Sequence, residues 1–111
     1  LASNTSPRIL VGGENLIDLI QIETGPGRPA FEANAGGSPF NVAKALGHQL
    51  QGVATVGYLT PISTDPFGEM LARDLGSAGV ALLAPRSAKP TSLAIVSILD
   101  DGSAAYQFYR E

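Results

Sequence analysis

Residues 34–47 read NAGGSPFNVAKALG. The stretch sets two bare glycines, Gly36 and Gly37, ahead of a Ser38-Pro39 pair, with Asn41 one turn further on. Ser38 can accept the free N–H groups of a helix start as N-cap. Pro39 suits the first helical position, where a missing N–H and a fixed φ do no harm. Val42, Leu46 and Leu50 then recur every four residues beside Ala43 and Ala45, which predicts a helix with one apolar stripe, ended by Gly52. Glycine without a Cβ lets a ligand approach the main chain, and the helix mouth behind it offers unpaired N–H groups. Asn41 both donates and accepts hydrogen bonds, as a polyhydroxylated ligand requires. The same residues also suit a tight turn and a cap with Asn41 merely solvated. Both readings stand on the spacing alone, and the G-x-G-x-x-G dinucleotide pattern is absent.

Working outward, Ile9-Leu10-Val11 closed by Gly12-Gly13 is a short apolar run with a breaker, the pattern of a buried parallel strand. Leu16–Ile22 is mostly apolar and β-branched, a second strand interrupted by Asp18. Residues 24–29 are dense turn chemistry, and Ala30–Ala35 can return as a hairpin. Residues 1–7 are polar and read as a loose end.

Downstream, Val53–Val56 is strand-like and bounded by Gly57. Asp65 caps a second helix that starts at Pro66, shows Phe67, Met70, Leu71, Leu75 and Ala78 on one face, and stops at Gly79. Val80–Ala84 is a short strand, Thr91–Leu99 a longer one, and the Asp101-Gly102 pair turns it back along Ala104–Tyr109. Alternating strands and helices at the centre predict an α/β fold with a parallel sheet, the hairpins forming a small appended sheet.

The composition narrows the function. A chain of 111 residues holds one small domain, and a charged fraction of only 15% points to extensive burial. A net charge of −3 with scattered basic residues offers no nucleic-acid surface. There is no cysteine to build a disulfide, and no apolar run approaches the roughly 20 residues that span a bilayer. The opening residues lack a signal-peptide pattern, so a cytoplasmic location is expected. His48, the single histidine, falls on the polar flank of its helix, which leaves neither metal-ligand spacing nor a Ser-His-Asp arrangement.

Asp18 is the anomaly in its strand. A carboxylate there is costly unless hydrogen-bonded. At the rim of a cleft it accepts two vicinal sugar hydroxyls; on an edge strand it simply faces water. Arg110, after Tyr106, Phe108 and Tyr109, is either a ligand contact or a solvated surface residue.

The segments carry a resemblance. GGSPFNVAKALGHQL resembles the first signature of the ribokinase-like (pfkB-type) carbohydrate kinases, and VGGENLIDLI is similar to the first strand of their fructokinase branch. VATVGYLTPISTDPFGEMLARDLGSAGV resembles the G…D-x-F-G…L…G-V segment, and PTSLAIVSILDDGSAAYQFYRE the lid strands that follow. The resemblance implies a doubly wound parallel α/β sheet, of which residues 8–111 would be the N-terminal half, with β-lid strands near 16–35 and 91–110. It implies transfer of the ATP γ-phosphoryl group, with Mg²⁺, to a hydroxyl of a small sugar or sugar acid, in a homodimer joined through lid strands. Asp18 would take sugar hydroxyls, the Gly36-Gly37 backbone would lie against the sugar, and Asn41 would bond to it. Phe108 and Arg110 match lid positions that pack on or pair with substrate.

Two departures qualify this. Pro39 and Phe40 stand where the family commonly has Gly or Ala, and Ser38 where ribokinases often have lysine, which leans toward fructokinase-like members. The family's second signature, Asp-Thr-x-Gly-Ala-Gly-Asp, occurs nowhere in these residues. Its last aspartate is the family's base and its amides form the anion hole. The expectation is therefore a chain that contacts sugar but does not turn it over alone. The alternative is a non-catalytic sugar-binding or lid-mediated dimerisation module.

Overall fold

The computed structural model describes residues 8–110. The elements run β1 (Arg8–Val11), β2 (Leu16–Ile22), β3 (Ala30–Gly36), α1 (Ser38–Gln49), β4 (Thr55–Tyr58), α2 (Pro66–Ser77), β5 (Val80–Leu82), β6 (Leu93–Ile98) and β7 (Ala104–Tyr109). They form two sheets. One is parallel, three-stranded and ordered β1-β4-β5; the other is mixed, four-stranded and ordered β3-β2-β6-β7. The two expected hairpins are its antiparallel pairs, β2–β3 and β6–β7, joined by a parallel β2–β6 contact.

The core lies between the parallel sheet and the two helices. Phe40, Ala43, Val56, Tyr58, Ile62, Leu71 and Leu75 are buried there, and Ile17 of β2 reaches into the same cluster. The Phe40 and Tyr58 rings meet edge to face at 6.0 Å. At α2 the sequence reading holds: Gly68 N–H donates to Asp65 Oδ1 at 2.7 Å, and Gly79 takes φ +77° after the last turn.

At α1 two details differ from expectation. The N-cap is Gly37, at φ +102°, and Ser38 and Pro39 are the first helical residues; no side chain caps the end. The buried line runs through Phe40, Ala43 and Gly47, so Val42 lies on the flank and is 48% exposed. Gly47 sets this rotation, since a Cβ there would collide with the Ala78 carbonyl and α1 can approach the end of α2 only where no side chain intervenes.

The fourth and fifth predicted strands also change their bounds, the fourth at both ends and the fifth at its C-terminal end. Val53 is 63% exposed and lies outside β4, which extends instead through Gly57 to Tyr58; β5 stops at Leu82 rather than Ala84. Gly57 belongs inside the strand because Leu83 and Leu10 close over the space a side chain would need. Those two leucines sit on the face of the parallel sheet turned away from α1 and α2, beside a hollow of about 270 Å³ lined also by Arg8, Thr55 and Ala81. Among the described residues the helices thus cover one face of this sheet, part of a doubly wound arrangement. None of these helices is long and apolar enough to cross a membrane.

Candidate functional site

Alternation along β2 sorts its side chains. Ile17 and Leu19 pack on the core, which turns Asp18 to the opposite face. Asp18 pairs in register with Asn34 of β3 and Ala94 of β6, and Ala94 with Phe108 of β7. Asn34, Asp18, Ala94 and Phe108 therefore form one row across the four-stranded sheet, with Asp18 and Phe108 two strand spacings, roughly 10 Å, apart. β2 is an inner strand, so Asp18 is not an edge residue, and it is partly buried.

The next row explains the first bare glycine. Gly36 pairs with Leu16, and a Cβ on Gly36 would collide with Asp18 Oδ2 and lie 3.0 Å from Leu16 Cδ1. The absent side chain makes room for the Asp18 carboxylate. At Gly37 a Cβ would stand 2.5 Å from the Glu14 carbonyl oxygen, and φ +102° already disfavours any other residue. Both glycines are thus required by contacts within the chain. Asn41 is exposed on the first turn of α1, where its N–H bonds to the Gly37 carbonyl at 2.9 Å.

The loop against Gly37 is fixed from several sides. Gly13 N–H donates to Thr60 Oγ1 at 2.7 Å, and Tyr58 O–H donates to the Gly13 carbonyl at 2.5 Å. Asn15 Nδ2 donates to Tyr58 Oη at 3.1 Å and to the Pro61 carbonyl at 3.2 Å. Burial pushes the Tyr58 phenol up from its ordinary pKa, against hydrogen bonds to Asn15 and Thr60, so it stays a neutral donor at physiological pH. Glu14, Asn15 and Tyr58 escaped the sequence reading. The signal was a polar Glu-Asn pair wedged between glycines and an apolar run.

Glu14 also receives Arg110. The Arg110 Nε–H donates to Glu14 Oε2 at 2.7 Å, and the guanidinium lies 4.5 Å from the centre of the Phe108 ring. Both charged side chains remain about half exposed. They border a crevice of about 320 Å³ that also touches Asn15, Thr60, Ser63 and Lys89. It opens at the carboxyl ends of β1, β4 and β5, where open α/β sheets bind ligands. Of the six residues the sequence singled out, only Arg110 lines this crevice. Asp18 and Gly36 touch each other, Phe108 shares their sheet face and carries Arg110, and Gly37 and Asn41 stand at the α1 mouth.

Asp65 ties this region to the second sheet. Its carboxylate accepts from Thr91 N–H at 2.7 Å and Thr91 Oγ1–H at 2.5 Å as well as capping α2. Burial alone would raise its pKa, but the hydrogen bonds from Thr91, Gly68 and Ser63 outweigh it and hold the carboxyl below the usual aspartate value. Thr91 is buried and leads directly into β6.

This arrangement matches known proteins. Residues 6–110 fit the family model described as pfkB family carbohydrate kinase. A fructokinase of Rhizobium leguminosarum bv. trifolii is 37% identical over 107 residues, covering 93% of this chain and 31% of that protein. Fructokinase-1 of Zea mays is 39% identical over 103 residues, covering 88% of this chain and 31% of that protein. A crystal structure of fructokinase with bound ATP from Xylella fastidiosa superposes with a TM-score of 0.81 at 33% identity, over 95% of this chain and 33% of that one. The chain spans about a third of the length of the curated relatives it matches. With two sheets, capped α2 and paired glycines all in place, it belongs to the pfkB family of carbohydrate kinases.

Proposed function

We propose that the protein carrying this chain phosphorylates a hydroxyl of a small, fructose-like sugar with ATP as donor, and that these residues hold the sugar. The observation that carries the reading is Asp18: a carboxylate on an inner strand, packed against Gly36 and in one row with Phe108. A carboxylate accepts hydrogen bonds from neighbouring hydroxyls, an aromatic ring covers the C–H face of a sugar, and the Asn41 amide supplies a donor and an acceptor. The four-stranded sheet acts as the lid over the substrate. Fructokinases among the relatives support a ketose as the substrate class.

ATP and Mg²⁺ are the co-substrate and ion of this reading. Among the described residues no group of three His, Cys, Asp or Glu side chains could hold a metal ion. The Asp-Thr-x-Gly-Ala-Gly-Asp run is not among its residues. Loss of a general base costs about 10²–10⁴ in rate, and we expect the 111 residues alone to give no turnover. The test is ADP release by the full-length protein with fructose, ATP and Mg²⁺. Asp18→Asn should lower kcat/KM for fructose by about tenfold or more, the order of a lost charge-assisted hydrogen bond. An unchanged kcat/KM would overturn the assignment of Asp18.

A second reading, self-association through the lid in the cytoplasm, draws on Ile20, Ile22, Ile98 and Tyr106, which leave apolar surface exposed on the four-stranded sheet. Sedimentation of wild type and Tyr106→Glu decides it: the variant should sediment as a smaller species, and equal sedimentation would remove the lid from the interface.

A further inference from the structure

The pairing of Arg110 with Glu14 bears on which sugars the site admits. Arg110 is the charged lid residue that lines the crevice, and an unpaired guanidinium there would attract carboxylates and phosphates. It is not unpaired. Its Nε–H meets Glu14 Oε2 at 2.7 Å while its Cζ lies over the Phe108 ring at 4.5 Å. Glu14 is no wandering surface acid either. Its neighbours are held: the Gly13 backbone by Thr60 and Tyr58, and the Asn15 side-chain amide by Tyr58 and the Pro61 carbonyl, while the Glu14 carbonyl lies close against Gly37. The lid arginine therefore comes to a fixed carboxylate 96 positions earlier in the chain.

We propose that Glu14 is a specificity-determining positioning residue: by holding and neutralising Arg110 it makes the site select neutral sugars over sugar acids. The inference rests on the sugar-binding reading above. The charged side chains on the crevice are Glu14, Lys89 and Arg110, which sum to one positive charge and without Glu14 to two; Asp18 of the sugar-facing row lies outside this lining and adds the same negative charge in both cases. The pair is half exposed, so its effect is a bias and not an absolute gate, and it weakens with salt.

The test titrates D-fructose and D-gluconate calorimetrically against the full-length protein, as wild type, Glu14→Gln and Arg110→Met. In Glu14→Gln the gluconate-to-fructose affinity ratio should rise roughly fivefold at low salt, the scale of one exposed ion pair, and fall back as salt is added. Arg110→Met should abolish that rise when combined with Glu14→Gln. A purely structural Glu14 would weaken both sugars together and leave the ratio unmoved, which overturns the proposal. The Arg110 ¹⁵Nε–H resonance gives a readout free of sugar: protected from exchange in wild type, unprotected in Glu14→Gln. Equal protection in both would overturn the pairing itself. If no form binds either sugar while Arg110 stays protected, the sugar-binding reading has failed and the selectivity claim falls with it.

Discussion

In the three-stranded sheet Val56, Tyr58 and Val80 are at most 5% exposed beneath the helices, whereas in the four-stranded sheet Ile98, Tyr106 and Phe108 are each at least half exposed. The first sheet is a packing device. Glycines in the sheet and its covering helix admit neighbouring groups: Gly57 of β4 admits Leu83, and Gly47 of α1 admits the Ala78 carbonyl. The second sheet packs one face on the core through Ile17, Leu19, Ala33, Ala35 and Leu93, and carries a row of chemically distinct side chains on the other. Burial is thus concentrated in one sheet, and the proposed sugar-facing row lies on the other. The loop holding Glu14 joins the two, because it follows β1 and receives Arg110 from beyond β7.

The largest expected effect breaks that comparison if it is absent. Leu71→Ala, at a fully buried position on α2, should destabilise the protein by about 2–5 kcal/mol in urea unfolding. Phe108→Ala, half exposed, should cost below about 1 kcal/mol, mainly its contact with the Arg110 guanidinium. Similar losses would mean that the second sheet carries the core after all.

Next comes Gly36. Gly36→Ala should cost about 1–3 kcal/mol, the usual range for a substitution that overfills a packed site. The obstacle is the Asp18 carboxylate, so the same change in an Asp18→Gly background should cost clearly less. A double-mutant cycle with no coupling would show that Gly36 is bare for another reason.

The smallest effect sharpens the link between the sheets. Asp65 has a pKa held below its ordinary value in the folded state, so it contributes stability above the unfolded aspartate pKa of about 3.9. That contribution is lost as pH falls below about 4 and the carboxylate protonates. Asp65→Asn should therefore destabilise the protein at pH 7 by about 1 kcal/mol, the typical worth of a helix cap, and by less at pH 3. A penalty that is constant across this range would place the effect in shape rather than charge.

Much of the fold was legible because it is written locally. The Asp65-Pro66 start and the Gly79 stop of α2 need only neighbouring residues, and so do the hairpins. The start of α1 was misread since Ser38 fits a cap by chemistry, while the choice of Gly37 depends on a carbonyl at Glu14, far back in the chain. Val42 was misplaced because the stripe assumed one residue in four; the helix instead turns its Gly47 toward Ala78. At the site, Asp18 stood out as a carboxylate in an apolar run. The Glu14–Arg110 pair did not, for no local pattern couples residues so distant; only the β1-to-β7 topology brings them together. The paired glycines were read as room for a ligand, and they prove first to be room for Asp18 and Glu14.

The central claim is that the row through Asp18 on the four-stranded sheet receives a sugar. Backbone amide NMR of the full-length protein during a D-fructose titration tests it most directly. The account predicts that Asp18, Gly36 and Phe108 shift together along one saturating curve, and that Asp18→Asn flattens all three. Shifts that avoid this row, or that persist unchanged in Asp18→Asn, would contradict it.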